Sequence, residues 1–349
     1  MMSDIRDTIR IGGLRLSSRV FAAPLSGISD VPFRSLSRRF GAGLVVSEMV
    51  ASGEFARGAK EGQVRALRDG PGVHTVQLAG REPEWMERAA RKLVDDGVDL
   101  IDINMGCPAK KVVGGLSGSA LMREPDLALR IVEATVRGAG DVPVSLKMRL
   151  GWSRDSMNAA EIATRAEAAG VMMLTVHGRT REDFYEGKAD WRAIAAVKES
   201  VGIPVVANGD LVDERQLPLM LAESRADAVM IGRGMQGRPW LAGLMAGKTD
   251  RSSLAAIGAA DFVRAHHEAM LSHYGSGAGL RHARKHLGWY LDRLEGTRSL
   301  PGSSARKDLM TGTNAADIHR LIQEIFDGST LADLQYREPT PMSAMSKAA

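Results

Sequence analysis

The tightest constraint in this sequence is one alternation repeated eight times. Short apolar or β-branched runs occur at residues 19–25 (RVFAAPL), 44–50 (LVVSEMV), 73–79 (VHTVQLA), 100–105 (LIDINM), 142–148 (VPVSLKM), 171–177 (VMMLTVH), 203–208 (IPVVAN) and 228–232 (AVMIG). Turn-forming residues bound each run, and nearly all read as apolar on both faces. Strands buried on both sides of a parallel sheet have that character, whereas a half-exposed antiparallel strand alternates. Amphipathic stretches lie between most of them, at 84–95, 126–136, 159–169, 191–199 and 216–223, each long enough for a crossover helix. Eight βα units predict a (β/α)8 TIM barrel, with a doubly wound open sheet as the alternative, because strand number alone does not establish closure.

The pattern ends near Gly247, which makes residues 1–247 the barrel. After a polar stretch at 249–253, the chain shows helical period only, so 254–328 reads as a small all-helical domain and 329–349 as a flexible tail. A chain of 349 residues has room for both units. The single cysteine, Cys107, excludes intramolecular disulfides and multi-cysteine zinc or iron–sulfur sites. Acidic residues near the N-terminus argue against a secretory signal, and no apolar run approaches the ~20 residues of a membrane span, so the sequence reads as cytoplasmic and without a membrane partner. The formal charge of +4 is too small for a global field to identify a partner.

Barrel chemistry sits at the C-terminal strand ends, and these ends are rich in polar groups. They carry Pro24, Leu25 and Ser26; Glu48; Gln77; Asn104 and Cys107; Lys147 and Arg149; His177 and Arg179; Asn208, Gly209 and Asp210; and Gly232 and Arg233. Glycine turns ahead of helices after the seventh and eighth runs suit a phosphate, with Arg233 as a further donor. Residues 232–237 also spell G-x-G-x-x-G, but no strand follows and the dinucleotide reading is rejected. Lys147 interrupts an apolar strand, which fits either a Schiff-base lysine or a cation set against a reduced flavin. Cys107, between Gly106 and Pro108, lies on a turn at a catalytic strand end. After it, Lys110, Lys111 and the glycine-rich 114–119 read as a mobile loop over the site.

In the helical region, Leu280, Ala283, Leu287, Leu291 and Leu294 follow helical spacing, with Arg281, Arg284 and Lys285 on a neighbouring face. Residues 254–310 hold eight Lys/Arg against five Asp/Glu, most of the formal excess, and Trp289 and Tyr290 lie beside the basic stripe. An RNA-backbone surface is one reading of it. His282 and His286 at i, i+4 have no evident third ligand, so no metal site is expected.

Residues 22–30 (AAPLSGISD) with 32–34 (PFR), 102–112 (DINMGCPAKKV), 118–122 (GSALM), 146–149 (LKMR), 176–181 (VHGRTR), 208–210 (NGD), 232–233 (GR) and 283–286 (ARKH) closely resemble the motifs of bacterial tRNA-dihydrouridine synthases, the B-type members above all. The resemblance runs from about residue 11 to 327. It implies an FMN-bound barrel and a helical tRNA-binding domain that reduce particular uridines of tRNA to 5,6-dihydrouridine with NADPH. By similarity, Pro24, Leu25, Ser26 and Gln77 pack around the isoalloxazine, and Lys147 and His177 contact its pyrimidine edge. Asn208, Gly209, Asp210, Gly232 and Arg233 would hold the FMN phosphate. Substrate contacts would fall to Asn104, Lys111 and Arg179 at the barrel and to Arg281, Arg284 and Lys285 on the helix. Hydride from flavin N5 to uracil C6 leaves C5 to be protonated from the opposite face, and a largely protonated thiol makes Cys107 the expected general acid. Leu25-Ser26 stands where the family usually has Met-Ala, and 296–307 reads as a longer loop than many relatives carry.

Overall fold

A computed structural model describes residues 4–295 and 304–334, except for the side chains of Lys110 and Lys111. The strands are β1 (Ile9–Ile11), β2 (Leu14–Leu16), β3 (Val20–Ala22), β4 (Leu44–Val45), β5 (Met49–Ala51), β6 (Thr75–Ala79), β7 (Leu100–Met105), β8 (Val144–Arg149), β9 (Val171–His177), β10 (Val205–Asn208) and β11 (Ala228–Ile231). The helices of the first unit are α1 (Val31–Arg39), α2 (Ser52–Ala56), α3 (Lys60–Ala66), α4 (Pro83–Asp95), α5 (Lys110–Gly114), α6 (Pro125–Ala139), α7 (Ala159–Ala168), α8 (Trp191–Ser200), α9 (Leu217–Ser224) and α10 (Leu241–Met245).

Strands β3 to β11 form one parallel sheet in the order β4-β3-β11-β10-β9-β8-β7-β6-β5. The first strand pairs with the last, as an open doubly wound sheet would not allow. The two ends of that order, β4 and β5, are halves of one predicted strand. Between them Ser47 N donates to Thr75 O at 3.2 Å, and Gln77 N donates to Ser47 Oγ at 3.0 Å, so the ring closes through the interruption. The nine strands are therefore the eight of a TIM barrel with its second strand broken. Pro143 and Pro204 lack the N–H a ladder needs, which is why β8 and β10 begin one residue after them.

The hairpin β1–β2 was not among the eight expected strands. Its signal is the alternation Ile9-Arg10-Ile11 and Leu14-Arg15-Leu16 around a Gly12-Gly13 turn, with Gly12 at φ +57°. Ile9, Ile11 and Leu16 join Phe21, Leu44, Leu100, Met173, Val206, Ala228 and Met230 in one apolar cluster. The strand neighbours Val20, Ala22, Val205, Ala207 and Val229 belong instead to the core beneath the helices. Period-2 alternation thus separates a lumen cluster, to which the hairpin contributes, from an outer core. Outside the barrel α4 packs on α6, where a Cβ at Gly138 would stand 2.4 Å from Glu87 O, so only glycine permits that approach.

The reading of both strand faces as apolar needs correction. The lumen face carries Thr75, Gln77, Asp102, Asn104, Ser145, Lys147, Thr175, His177 and Asn208 toward the strand ends. A buried polar layer survives when its members bond one another, as most do here, the Thr75 and Thr175 hydroxyls excepted.

The second compact unit takes in Gln236–Arg238 and the described residues from Asp250 onward. It comprises α11 (Arg251–Ala255), α12 (Ala259–Tyr274), α13 (Ser276–Glu295), α14 (Ala305–Thr311) and α15 (Ala315–Phe326). Phe262, Met270, Ala283, Leu287, Tyr290, Leu291, Ile322 and Phe326 are buried in it. Two boundaries shift from expectation. Residues 305–307, read as loop, begin α14, and 329–334, read as tail, are held by a Gly258–Thr330 bridge with Leu331 and Leu334 buried. The remainder of both segments, 296–303 and 335–349, lies outside the described residues. No helix among the described residues is long and apolar enough to cross a membrane.

Candidate active site at the strand ends

The parallel register brings the lumen-facing polar residues of adjacent strands level: Gln77 beside Asp102, Asp102 beside Ser145, Asn104 beside Lys147, Arg149 beside His177, and His177 beside Asn208. At its base is Asp102, buried and ringed by donors. Ser145 Oγ donates to Oδ1 at 2.6 Å and Gln77 Nε2 to Oδ2 at 2.6 Å. Gln77 Oε1 then accepts from Asn104 Nδ2 at 2.8 Å, and Asn104 Oδ1 accepts from the backbone N–H groups of Gly106 at 3.2 Å and Cys107 at 3.1 Å. A carboxylate can only accept, so its orientation dictates that of each amide above it, ending at the cysteine. Burial pushes the Asp102 carboxyl up to about 6, against the Ser145 and Gln77 hydrogen bonds that favour its anion.

Two further residues hold the cysteine turn. Arg149, 1% exposed, donates from Nε to Gly106 O at 2.8 Å and from Nη1 to Thr180 O at 2.6 Å and Phe184 O at 2.8 Å, tying the fourth strand end to the sixth. Ser119 donates to Cys107 O from its N at 3.0 Å and its Oγ at 2.9 Å. A Cβ at Gly118, where φ is +60°, would lie 2.8 Å from Cys107 O. Residues 118–119 are thus buried supports of the cysteine turn, which takes these two out of the segment 114–119 read as a mobile loop. The Cys107 thiol is free and half-buried, and burial raises its pKa above the ordinary value, so it is protonated at neutral pH.

Lys147 Nζ donates to Asn208 Oδ1 at 3.1 Å, and Asn208 Nδ2 donates to Met230 O at 2.8 Å. Burial, then the neighbouring Arg149, lower the Lys147 pKa to about 8. His177 is driven well below its ordinary value by burial and by Lys147, Arg149, Arg179 and Arg233, so its ring is neutral. Arg179 Nη1 donates to His177 Nε2 at 3.3 Å, which assigns the ring proton to Nδ1.

Arg179 departs from the expectation of a substrate contact. Its guanidinium is 1% exposed and donates to Asp210 Oδ1 at 2.9 Å and Oδ2 at 2.6 Å, Glu186 O at 2.9 Å and Gly187 O at 2.7 Å, besides His177. Every N–H of the fork is engaged within the protein. Asp210, at φ +56°, also accepts from Ala189 N at 2.8 Å and Arg233 Nη2 at 3.3 Å. A Cβ built on Gly232 would lie 3.7 Å from the Leu25 side chain, which brings the first and eighth strand ends together. Pro24 and Leu25 are half-buried and Ser26 is exposed. Lys111 lies outside the described side chains, and Arg281, Arg284 and Lys285 belong to α13 of the second unit. Arg281 is exposed, while half-buried Arg284 reaches Gly312 O at 3.4 Å.

Asp102, Ser145, Arg149 and Tyr185 were given no site role from the sequence, Arg149 being noted only as a polar strand end. The first three had a signal, the period-2 spacing that puts Asp102 on the face of Asn104 and places Ser145 and Arg149 on that of Lys147. Tyr185 had none: it sits in the turn after β9, with the Arg149 guanidinium 5.4 Å and that of Arg233 5.3 Å from its ring centroid. Glu48, noted only as a strand end, accepts from Gly27 N and so steadies the turn that follows Ser26.

A closed parallel barrel with a cation-rich, hydrogen-bonded polar layer at one strand-end face is the architecture of a barrel enzyme. The model of the dihydrouridine synthase (Dus) family matches residues 21–323. A protein of Rhodobacter capsulatus described as a probable tRNA-dihydrouridine synthase is 53% identical over 325 residues, covering 91% of this chain and 98% of its own. The tRNA-dihydrouridine synthase B of Pseudomonas aeruginosa is 44% identical, covering 83% and 89%. Among solved structures, morphinone reductase in complex with tetrahydroNAD has a TM-score of 0.51 at 16% identity, covering 72% of this chain and 94% of that one, a likeness of fold. The chain belongs to the dihydrouridine synthase family.

Proposed function

We propose that this chain reduces particular uridines of tRNA to 5,6-dihydrouridine, with FMN as its bound cofactor and NADPH as reductant. The observation that carries the reading is the grouping of a protonated Cys107 thiol, a Lys147 ammonium and a neutral His177 in one barrel layer, within a chain 44–53% identical to tRNA-dihydrouridine synthases. These residues fit a flavin. Among the described residues Lys147 has a single protein acceptor, Asn208 Oδ1, for three N–H donors, and a buried ammonium so placed accommodates the electron-rich edge of a ligand.

Pro24, Leu25 and Ser26 would border the ring system, Lys147 and His177 its pyrimidine edge, and Asn208, Gly209, Gly232 and Arg233 the phosphate. Gln77, both ends of its amide bonded to Asp102 and Asn104, sets the floor of this pocket. Asp210 serves by holding Arg233 and Arg179. When bound, FMN supplies the hydride that adds to uracil C6. Cys107 supplies the proton at C5, the two additions together saturating the C5–C6 bond. The raised thiol pKa keeps that proton in place at neutral pH, and Asn104 and Ser119 fix the turn that aims it. Reaching a buried site requires the target base to leave its stack. Arg281, Arg284 and Lys285, with Lys111, would meet tRNA phosphates.

The purified protein should be yellow, release FMN on denaturation, be bleached by NADPH and be reoxidised by unmodified tRNA with formation of dihydrouridine. A colourless protein that FMN cannot reconstitute would end the flavin reading.

A further inference from the structure

Two sets of arginines at the surface of the barrel unit differ in their partners. Arg91, Arg137, Arg154, Arg165 and Arg192 each lie beside a carboxylate. Four others lie over tryptophan rings. Arg123 and Arg181 stand 3.9 and 4.8 Å from the ring centroid of Trp152, and Arg57 and Arg88 stand 4.8 and 5.0 Å from that of Trp85. Among the described residues no carboxylate lies within ion-pair distance of any of the four. Arg57, Arg88 and Arg123 are exposed, and Arg181 is half-buried.

The chain path puts all six on the active face. Trp152 follows β8, the strand of Lys147, and Arg181 follows β9, the strand of His177. Arg123 ends the segment that supports Cys107, while Arg57 follows α2, and Trp85 and Arg88 lie in the first two turns of α4, all three at the strand-end side of their βα units. Trp152 is held by bonds from Arg181 N to Gly151 O and Glu182 N to Trp152 O, both 3.0 Å. The ion pair of Arg81 with Glu124, 3.4 Å, joins the segment before Trp85 to the residue after Arg123, so the two stacks are neighbours.

We propose that these two Arg–Trp–Arg stacks form an RNA-backbone-binding surface on the barrel's own rim, gripping phosphates that flank the reacting nucleotide. The inference rests on the tRNA-reducing reading above and adds a binding surface to it. A guanidinium lying on an indole is held flat by cation–π attraction, and its edge keeps the fork of donors that matches a phosphate. The ring restricts the side chain beforehand, so less entropy is lost when the phosphate arrives.

The test is tRNA affinity as a function of salt, with Arg123→Gln/Arg181→Gln against the wild type and against a control, Arg91→Gln/Arg165→Gln, whose arginines are ion-paired. Two lost phosphate contacts should weaken binding roughly tenfold or more at moderate salt and reduce the slope of log affinity against log salt by about 1.4 to 1.8. The effect should reappear in KM, with bound flavin at the wild-type level, while the control keeps the wild-type slope. Arg123→Lys/Arg181→Lys should keep the slope yet bind more weakly, because charge is retained and the stacked fork is lost. A wild-type slope and affinity in the glutamine pair would overturn the surface, as would equal losses in the control. If the wild type proves colourless and inactive while the glutamine pair loses slope, the surface stands and the enzymatic reading falls. If the wild type is active and the slope does not move, the surface falls alone.

Discussion

Asp102→Asn tests whether the buried chain of amides positions the cysteine. The Asp102 carboxyl has its pKa raised from 3.8 to about 6 by burial. A folded value above the unfolded one means that the folded barrel binds the proton more tightly, so its contribution to stability is full below pH ~4 and lost as pH rises through about 6. At neutral pH the ionised group costs about 3 kcal/mol relative to its protonated form. Asparagine cannot ionise, so the variant should lack that slope and equal or exceed wild-type stability at pH 7–8. Its function should move the other way. An amide at position 102 can donate to Gln77 Oε1, which turns Gln77 and then Asn104, and presents Asn104 Nδ2 to the N–H groups of Gly106 and Cys107. Loss of those two bonds, about 1 to 3 kcal/mol of positioning, should slow tRNA reduction roughly 10- to 100-fold. Urea unfolding at several pH values and single-turnover reoxidation of the reduced flavin by tRNA measure the two effects. A wild-type turnover rate, or an unchanged pH slope of stability, would refute the reasoning.

Cys107→Ala should leave NADPH-dependent flavin reduction intact and strongly slow tRNA reduction; equal turnover would remove the thiol from the acid role. Arg179→Leu strips both donors from one face of Asp210 and two loop carbonyls of theirs, and should destabilise the barrel by about 3 kcal/mol in thermal or urea unfolding. A fully stable variant with a raised KM for tRNA would restore Arg179 as a substrate contact. In the helical unit, His266 is buried against Tyr290, with Nδ1 2.9 Å from the hydroxyl, and burial lowers its pKa to about 3. The unfolded chain takes the proton first, so stability is lost as pH falls below 6.5, by about 2 to 3 kcal/mol at pH 4.5. Hydrogen exchange of α12 and α13 amides should show that loss, and His266→Gln should reduce it. Arg284→Ala with Lys285→Ala should weaken tRNA binding and flatten its salt dependence without loss of FMN; loss of FMN instead would make the stripe structural.

The barrel was legible because each of its eight strands is an apolar run set off by a helix-period stretch, and this pattern survives even where β4 and β5 part. The reacting strand ends were legible for the same reason: a parallel strand announces its C-terminal end by its direction. What supports them was not. Asp102 sits in the middle of an otherwise apolar run, and only the pairing of β6, β7 and β8 reveals that Gln77 and Ser145 face it. Arg179 was expected to meet the substrate only by resemblance to the family. Its partners, Asp210, Glu186 and Gly187, come from two other parts of the chain that sequence spacing does not connect. The charge count over 254–310 did not show which cations are engaged: Arg264 lies beside Asp261, buried Arg293 donates to Gln236 O, and Arg306 pairs with Asp292 and Glu295.

The local balance of charge says more than the formal total. Burial first, and then Lys147, Arg149, Arg179 and Arg233, hold the His177 imidazole neutral. Near them stand two carboxylates, and neither relieves this field fully: Asp210 is occupied by Arg179 and Arg233, while Asp102 lies at the base of the layer with a raised pKa. A cation excess kept in a partly buried layer disfavours the folded protein alone and is relieved when an anion enters. The phosphate of a flavin mononucleotide and the backbone of tRNA are both such anions. The same residues that keep His177 neutral therefore favour the ligands proposed here.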